Sequence, residues 1–388
     1  METALRTVRD IEEGLASFSW MDPHTHVDAA HLTARGLDDI LLYHMVVSDL
    51  FAAGCPSGSR LDEDRSQKDA HTRLAEAIPY LARARNTFMA SGLRAILVDL
   101  YNWREPINES NWRRLDEIIR ERSQDTAWAR DVTRRANIAR TGTELWRQRD
   151  GSADDLLQYS LEWAFFARTQ WGQPDIPVFE LERAWNEPQA GVAIPVTYNR
   201  KTAPPLKKTI RTVEDVHAAV LHYCDLIPYG TVLATAQHIS TDIEYSNPSD
   251  GQMAEALERR ASAGDAERNV YASYILHRFL SELEKREQRI VFQFSLGAEP
   301  LPYESSSRVS QRTIGQLADI ISRYPRLRFM CFLGSRHANQ ALCTLARELP
   351  NFSLAGYWWH NFFPGAIQQV MEERLDMLPV NKQIGFFS

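Results

Sequence analysis

The chain of 388 residues lacks the features that mark membrane, secreted and nucleic-acid-binding proteins. No run approaches the roughly 18 consecutive apolar residues that a membrane-spanning helix requires. The first ten residues are charged and lack the apolar core of a secretion signal. The net charge of −7 is modest and spread along the chain, which argues against a nucleic-acid surface. We therefore expect a cytoplasmic protein without membrane or nucleic-acid partners. A homo-oligomer remains open.

Cysteine is also scarce in this sequence. The chain has four cysteines, and none of them belongs to a CxxC pair. This pattern indicates free thiols in a reducing compartment and no zinc knuckle.

What the sequence does contain is an alternation of apolar strand-like runs and helical patterns, which predicts an α/β fold. Several runs are continuously apolar, as is typical of strands buried on both faces of a parallel sheet. Eight candidate strands with right-handed crossovers predict a (β/α)₈ TIM-like barrel. The candidates are residues 18–21, 137–140, 191–198, 231–235, 289–296, 328–333, 353–359 and 383–387. The third candidate is ambiguous with residues 176–181.

Residues 30–130 break the alternation with mainly helical periodicity, which we interpret as a helical insertion after the first strand. Within it, residues 93–100 are either a strand or the apolar end of a helix. A second helical stretch is expected at 146–171. The predicted organisation is residues 1–29 as the first barrel strand with a metal motif, 30–130 as the insertion, and 131–388 as the rest of a barrel that lacks its last helix.

The most informative motif is the stretch Asp-Pro-His-Thr-His-Val-Asp at residues 22–28. His24 and His26 are two residues apart and follow a short apolar run. In a strand, residues i and i+2 point to the same side, so the two imidazoles would converge on one point. This arrangement suits a divalent metal held by neutral histidine nitrogens. The alternative interpretation is a pair of surface or turn histidines.

Further polar residues follow the predicted strands, at the end of the barrel where active sites are built. His238 follows the fourth strand, Arg336 the sixth and His360 the seventh. Each of them could instead be a cap or turn residue. His44 lies in the helical insertion beside apolar neighbours, which is more typical of a core histidine.

The His24-Thr25-His26 motif at the end of a first strand is similar to that of the amidohydrolase superfamily. Within this superfamily the chain resembles the uronate (glucuronate) isomerases. The resemblance extends to the insertion that holds His44, to Glu-Pro-Ile-Asn-Glu at 105–109, to Tyr-Trp-Trp-His-Asn at 357–361 and to the ending at 381–388. It covers most of the chain in patches.

The chain departs from this family at three places. Met45 follows His44 where the family has tyrosine, and Ser295 stands at or beside a family histidine. No aspartate follows the eighth predicted strand, where the family has a metal ligand that often serves as the base. We therefore expect the natural chain to continue past Ser388, which mass spectrometry of natively expressed protein would show.

The resemblance implies an aldose–ketose isomerase that converts a hexuronate, such as D-glucuronate, to a ketose such as D-fructuronate through a cis-enediol. Such an enzyme would serve glucuronate catabolism and carbohydrate metabolism. It implies a divalent metal, expected to be Zn²⁺, on His24 and His26 together with a carboxylate. His44 and His238 are the expected catalytic residues, as carriers of hydroxyl protons. The residues expected to bind substrate are Arg336, Trp358, Trp359 and His360.

Two alternative functions remain open at this point. A metal-dependent hydrolase of the same superfamily would activate water, with His238 as an additional ligand. A non-catalytic barrel that binds a sugar acid would account for the departures at Met45 and Ser295.

Overall fold

The computed structural model describes residues 7–28, 31–57, 68–144, 155–162, 174–186, 206–230, 232–238, 244–286, 290–297, 309–358 and 363–385. The chain divides into two compact units. The first comprises Met1–Trp20 and Val27–Ala139, and the second comprises Met21–His26 and Arg140–Ser388. None of the helices in the described ranges has both the length and the apolar composition needed to cross a membrane.

The first unit is helical over most of its described residues. Its α-helices are α1 (Val8–Ala16), α2 (Leu37–Leu41), α3 (His44–Ala52), α4 (Ala70–Ala77), α5 (Leu81–Ala84), α6 (Phe88–Tyr101), α7 (Trp112–Ser123) and α8 (Trp128–Arg135), with a 3-10 turn at Ile78–Tyr80. The ambiguous run at 93–100 belongs to α6. Asn102 ends this helix in the left-handed conformation, with a φ of 53°.

The apolar face of α7 shows why this unit packs. Trp112, Leu115 and Ile119 recur at helical spacing and are almost completely buried in a core shared with α2, α3, α4 and α6. Burying each such side chain contributes about 1.5–3 kcal/mol. Asp116, on the same helix, accepts a 2.8 Å hydrogen bond from the backbone N–H of Leu37. It therefore satisfies one of the unpaired N–H groups at the start of α2.

The sheet contains eight strands in chain order, and every neighbouring pair from the second to the eighth strand is parallel. The strands are β1 (Trp20–Asp22), β2 (Ile138–Glu144), β3 (Leu157–Glu162), β4 (Val232–His238), β5 (Val291–Leu296), β6 (Arg328–Leu333), β7 (Phe352–Ala355) and β8 (Gln383–Ile384). The predicted α/β fold is confirmed.

Helices connect the strands of the second unit. They are α9 (Ile176–Asn186), α10 (Val213–Leu226), α11 (Asp250–Glu258), α12 (Asp265–Lys285), α13 (Gln311–Arg323), α14 (Asn339–Glu348) and α15 (Pro364–Met377), with short 3-10 helices at Arg260–Ser262, Arg336–Ala338 and Val380–Lys382.

The prediction of a helix over residues 146–171 was wrong for the part of it that the structure describes, residues 155–162. Residues 157–162 form β3, because their backbone groups pair with β2 on one side and β4 on the other. The sequence Leu-Gln-Tyr-Ser-Leu-Glu alternates apolar and polar residues, and its apolar residues Leu157, Tyr159 and Leu161 are buried, so the period-2 pattern of a strand was present and was missed. The alternative strand at 176–181 is part of the helix α9, and the candidate at 191–198 lies outside the described residues.

A contact between β5 and the end of β1 shows that the sheet curls. The Nε2 atom of Gln293 on β5 lies 3.4 Å from the carbonyl oxygen of Pro23, which directly follows β1. In a flat sheet, strands four places apart are roughly 19 Å from one another, at about 4.8 Å per strand. The strands therefore turn back toward β1, as in the predicted (β/α)₈ barrel.

The two faces of β5 have different partners. Phe292 packs against Phe279 of α12 and against Phe329 of β6, with ring centroids 6.2 and 6.0 Å away. Val291, one residue earlier, packs against the separate apolar cluster of Met330, Phe332 and Ala355. Apolar residues on both faces explain why these strands read as continuous apolar runs.

All four cysteines are buried free thiols, as the sequence predicts. Burial raises the pKa of the Cys331 thiol to about 12, so this side chain packs as a small hydrophobe and is unreactive.

Candidate metal centre

The two histidines of the predicted metal motif lie together in the segment after β1. The ring centroids of His24 and His26 are 5.0 Å apart, and the rings are nearly perpendicular. The backbone N–H of His24 donates to Oδ1 of Asp22, the buried last residue of β1, at 3.2 Å. The ring of His24 also packs on Phe332 of β6, with the centroids 5.5 Å apart.

A carboxylate outside the predicted motif completes the cluster. Glu144 is the last residue of β2 and is 3% exposed. Its Oε1 atom lies 2.8 Å from Nδ1 of His26. One ligand atom from each of His24, His26 and Glu144 lies within 4.8 Å of the others, and no further group of this kind occurs in the described part of the chain.

The donor set of this cluster fits a divalent metal ion. Two imidazole nitrogens and one carboxylate oxygen form the ligand set of several hydrolytic zinc sites and of many non-haem iron sites. Three protein ligands leave coordination positions open for water or substrate. The carboxylate is buried, and a buried charge of this kind is stable only beside a compensating positive charge or hydrogen-bond donors.

Backbone contacts between the motif and β2 place the histidines beside Glu144. The N–H of Thr25 donates to the carbonyl of Gly142 at 2.6 Å, and the Thr25 hydroxyl donates to the same oxygen at 2.7 Å. Residues 142 and 144 of a strand face the same side. The motif is therefore attached to the strand that carries the carboxylate.

Of the residues predicted to bind substrate, Trp358 packs against a neighbour of this centre. It contacts the apolar cluster of Met330, Phe332 and Ala355, whose Phe332 ring rests on His24. Arg336 lies on an exposed 3-10 turn after β6 and donates a hydrogen bond to Gln369 of α15. Trp359 and His360 lie outside the described residues.

The two residues predicted to be catalytic are described only through their backbones. His238 is the last residue of β4, and its backbone pairs with that of Ser295 on β5. His44 is the first residue of α3 in the helical unit. Their side chains lie outside the described part of the structure, so their roles stay predictions.

Glu144 was missed because β2 was predicted to end at residue 140. The strand continues through Thr141, Gly142 and Thr143 to Glu144. Two threonines, which favour strands, were the available signal for a longer strand. Extending the strand would have placed a carboxylate at its end, at the same edge of the sheet as the histidine motif.

Three solved structures share this architecture at low sequence identity. Glucuronate isomerase from Caulobacter crescentus superposes with a TM-score of 0.75 at 14% identity, covering 98% of this chain and 83% of that one. Uronate isomerase from Thermotoga maritima superposes with a TM-score of 0.68 at 12% identity, covering 95% of this chain and 84% of that one. A proposed metal-dependent hydrolase from Lactobacillus casei superposes with a TM-score of 0.55 at 10% identity, covering 97% of this chain and 83% of that one. The chain has the fold of these proteins.

No protein-family model matches the sequence, and no curated protein matches it at a significant level. The similarity to the solved structures therefore establishes the barrel architecture. A shared fold does not determine the chemistry, which depends on the metal centre.

Proposed function

We propose that the protein is a metal-dependent aldose–ketose isomerase that converts a hexuronate such as D-glucuronate to D-fructuronate in the cytoplasm, as part of sugar-acid catabolism. The observation that carries the proposal is the cluster of His24, His26 and Glu144 at the strand ends of a barrel with the fold of the uronate isomerases. Active sites of such barrels lie at these strand ends.

In this proposal His24, His26 and Glu144 hold the metal ion, for which Zn²⁺ is the first candidate. When bound, the ion supplies Lewis acidity toward the carbonyl and hydroxyl oxygens of the sugar acid. Before metal binding, the carboxylate of Glu144 accepts the Nδ1 proton of His26 and fixes the orientation of that ring. Nε2 of His26 is then free to act as a ligand.

The reaction moves the C2 proton of the sugar to C1 and one hydroxyl proton from O2 to O1, through a cis-enediol. His44 and His238 are proposed to carry the hydroxyl proton. Trp358, beside Phe332, supplies an apolar wall for the sugar face. The planar fork of Arg336 suits the substrate carboxylate once it has left Gln369. Trp359 and His360 complete the proposed substrate site.

Proton exchange at C2 tests the proposal directly. The zinc-loaded protein is incubated with D-glucuronate and, separately, with D-galacturonate in D₂O, and proton NMR follows the C2–H signal and the ketose signals. We expect loss of the C2–H signal and appearance of a ketose with one of the two substrates. Glu144→Gln should abolish both changes, whereas Glu13→Gln, at an exposed surface ion pair, should not. Absence of exchange with both substrates contradicts the proposal.

A second candidate function is hydrolysis of an ester, lactone or amide. The donor set of two histidines and one glutamate favours it, because hydrolytic zinc enzymes use this set with an open position for water. Its test uses the same zinc-loaded protein with sugar lactones and simple esters, monitored by acid release. Hydrolysis without C2 exchange would select this function over the isomerase.

A further inference from the structure

Gly142 of β2 allows an unusually close approach of the metal motif. A Cβ atom at this position would lie 2.5 Å from the carbonyl oxygen of Pro23, 2.8 Å from its carbon and 3.3 Å from the backbone nitrogen of His24. These are backbone atoms, which cannot rotate away as the end of a side chain can. Any side chain at 142 would therefore displace the backbone that carries His24.

The same residue also binds the motif. The carbonyl of Gly142 accepts two hydrogen bonds from Thr25, the residue between the two histidines. The hydroxyl of Thr141 lies 3.3 Å from that of Thr25. Residues 141 and 142 thus contact the centre of the motif, and Glu144 lies at the end of the same short segment. A shift of the motif against this segment changes the distance between the histidines and the carboxylate.

Gln293 contacts the motif from β5. Its side chain is 2% exposed, and its Nε2 atom lies 3.4 Å from the carbonyl oxygen of Pro23. Its Oε1 atom is buried and has no hydrogen-bond partner within the described residues. A hydrocarbon side chain of the same shape would avoid the cost of this unpaired oxygen. Packing alone therefore does not explain a glutamine at this position. Its amide group adds the contact with the Pro23 carbonyl.

We propose that Gly142 and Gln293 are positioning residues of the metal centre. Both act on the Pro23 carbonyl, Gly142 by leaving room for it and Gln293 by donating to it. Together they set where His24 and His26 stand relative to Glu144. The inference rests on the proposed metal centre and names what fixes its geometry. Neither residue touches the metal.

The test uses two variants of the full chain, Gly142→Ala and Gln293→Met, with Co²⁺ alone as the probe. Titration followed by the visible absorption of bound Co²⁺ should show an affinity lower by about 10-fold or more in each variant. Gln293→Met should melt at the same temperature as the wild type or higher, because it removes an unpaired buried oxygen. A purely structural role of Gln293 predicts a lower melting temperature instead.

A second readout needs no metal. In the metal-free wild type, the His26 Nδ1–H proton bonded to Glu144 should give a downfield NMR signal, and both variants should shift or lose it. Gly315→Ala, where a Cβ meets nothing within 4 Å, is the matched control and should leave both readouts unchanged. Unchanged Co²⁺ affinity and an unchanged His26 signal in Gln293→Met overturn the positioning role. Failure of the wild type to bind Co²⁺ overturns the metal centre instead, while the His26 signal still decides the positioning.

Discussion

Nδ1 of His26 and Oε1 of Glu144 lie 2.8 Å apart, although the two residues are far apart in the sequence. The carboxylate is buried and the imidazole is about half exposed. Because the carboxylate accepts a hydrogen bond, the ring proton stays on Nδ1 and leaves Nε2 available. Glu144 supplies the cluster with an acidic group from β2.

The first prediction concerns Glu144 as a ligand. Glu144→Gln keeps a hydrogen-bond acceptor for His26 but loses the negative charge and most of the affinity of the oxygen for a cation. We expect metal affinity to fall by about 100-fold or more, since loss of an outer hydrogen-bonding partner alone costs about 10- to 100-fold. Isothermal titration with Zn²⁺ measures the effect.

Glu144→Ala separates the two roles of this carboxylate. If Glu144 is a ligand, the alanine and glutamine variants should bind Zn²⁺ about equally weakly. Near-normal binding by Glu144→Gln together with weak binding by Glu144→Ala would mean that the carboxylate only orients His26.

The second prediction concerns removal of the metal. A ligand that binds only the folded state stabilises it by about 2.7 kcal/mol when its free concentration is 100 times its dissociation constant. We therefore expect Zn²⁺ to raise the melting temperature of the chelator-treated protein. Differential scanning calorimetry with and without EDTA measures the shift. The variant His24→Ala should show no such rise, and an equal rise in this variant would place the stabilising zinc elsewhere.

The regular part of the barrel could be predicted from the sequence because its signals are local. The run at 328–333 coincides with β6, and the run at 289–296 contains β5 and ends with it. The place of β3 in the sheet could not be predicted in this way. Leu157–Glu162 alternates apolar and polar residues, a local strand signal that was overlooked, but its pairing with β2 and β4 is set by the fold of the whole sheet.

The same distinction applies to the metal centre. His24 and His26 could be selected because their spacing is a local feature of one strand end. Glu144 was harder to select, because the threonines of β2 are only a weak signal for where the strand ends, and its place beside His26 also depends on how β2 meets the motif. The contact between Gln293 and Pro23 depends on the curl of the whole sheet, which no local pattern encodes.

The third prediction is a pH dependence that arises at His277 on α12. Its Nδ1 atom lies 2.8 Å from the hydroxyl oxygen of Tyr324, and its Nε2 atom lies 2.9 Å from the carbonyl of Ser246. Burial lowers the pKa of His277 to about 4. A histidine in the unfolded chain has a pKa of about 6.5, so between these values only the unfolded state takes up the proton.

Because the unfolded state takes up this proton first, lowering the pH destabilises the folded protein. The contribution of neutral His277 to the free energy of unfolding is complete above about pH 6.5. It is lost as the pH falls toward 4, by about 3 kcal/mol in total. Urea unfolding of the wild type and of His277→Gln at pH 7.5 and pH 4.5 measures it. The wild type should lose more stability between the two pH values than the variant does. His337→Gln, at an exposed position, is the control and should follow the wild type. Parallel losses in wild type and His277→Gln would contradict the assignment.

The fourth prediction concerns the aromatic layer on the outer face of β5 and β6. Phe294 is fully buried, and its ring centroid lies 4.9 Å from that of Phe292 and 5.7 Å from the stacked ring of Phe329. Phe294→Ala should lower the free energy of unfolding by about 3–5 kcal/mol, because the two neighbouring rings are held by their strands and cannot close the cavity. Guanidinium unfolding followed by circular dichroism measures the loss. Leu375→Ala, at a side chain that is 57% exposed on α15, should change it by no more than about 0.5 kcal/mol. A loss below about 1 kcal/mol for Phe294→Ala would mean that the aromatic layer can repack around the cavity. In that case the hydrogen bonds to neighbouring strands, and not these rings, fix the position of β5 and of Gln293 on it.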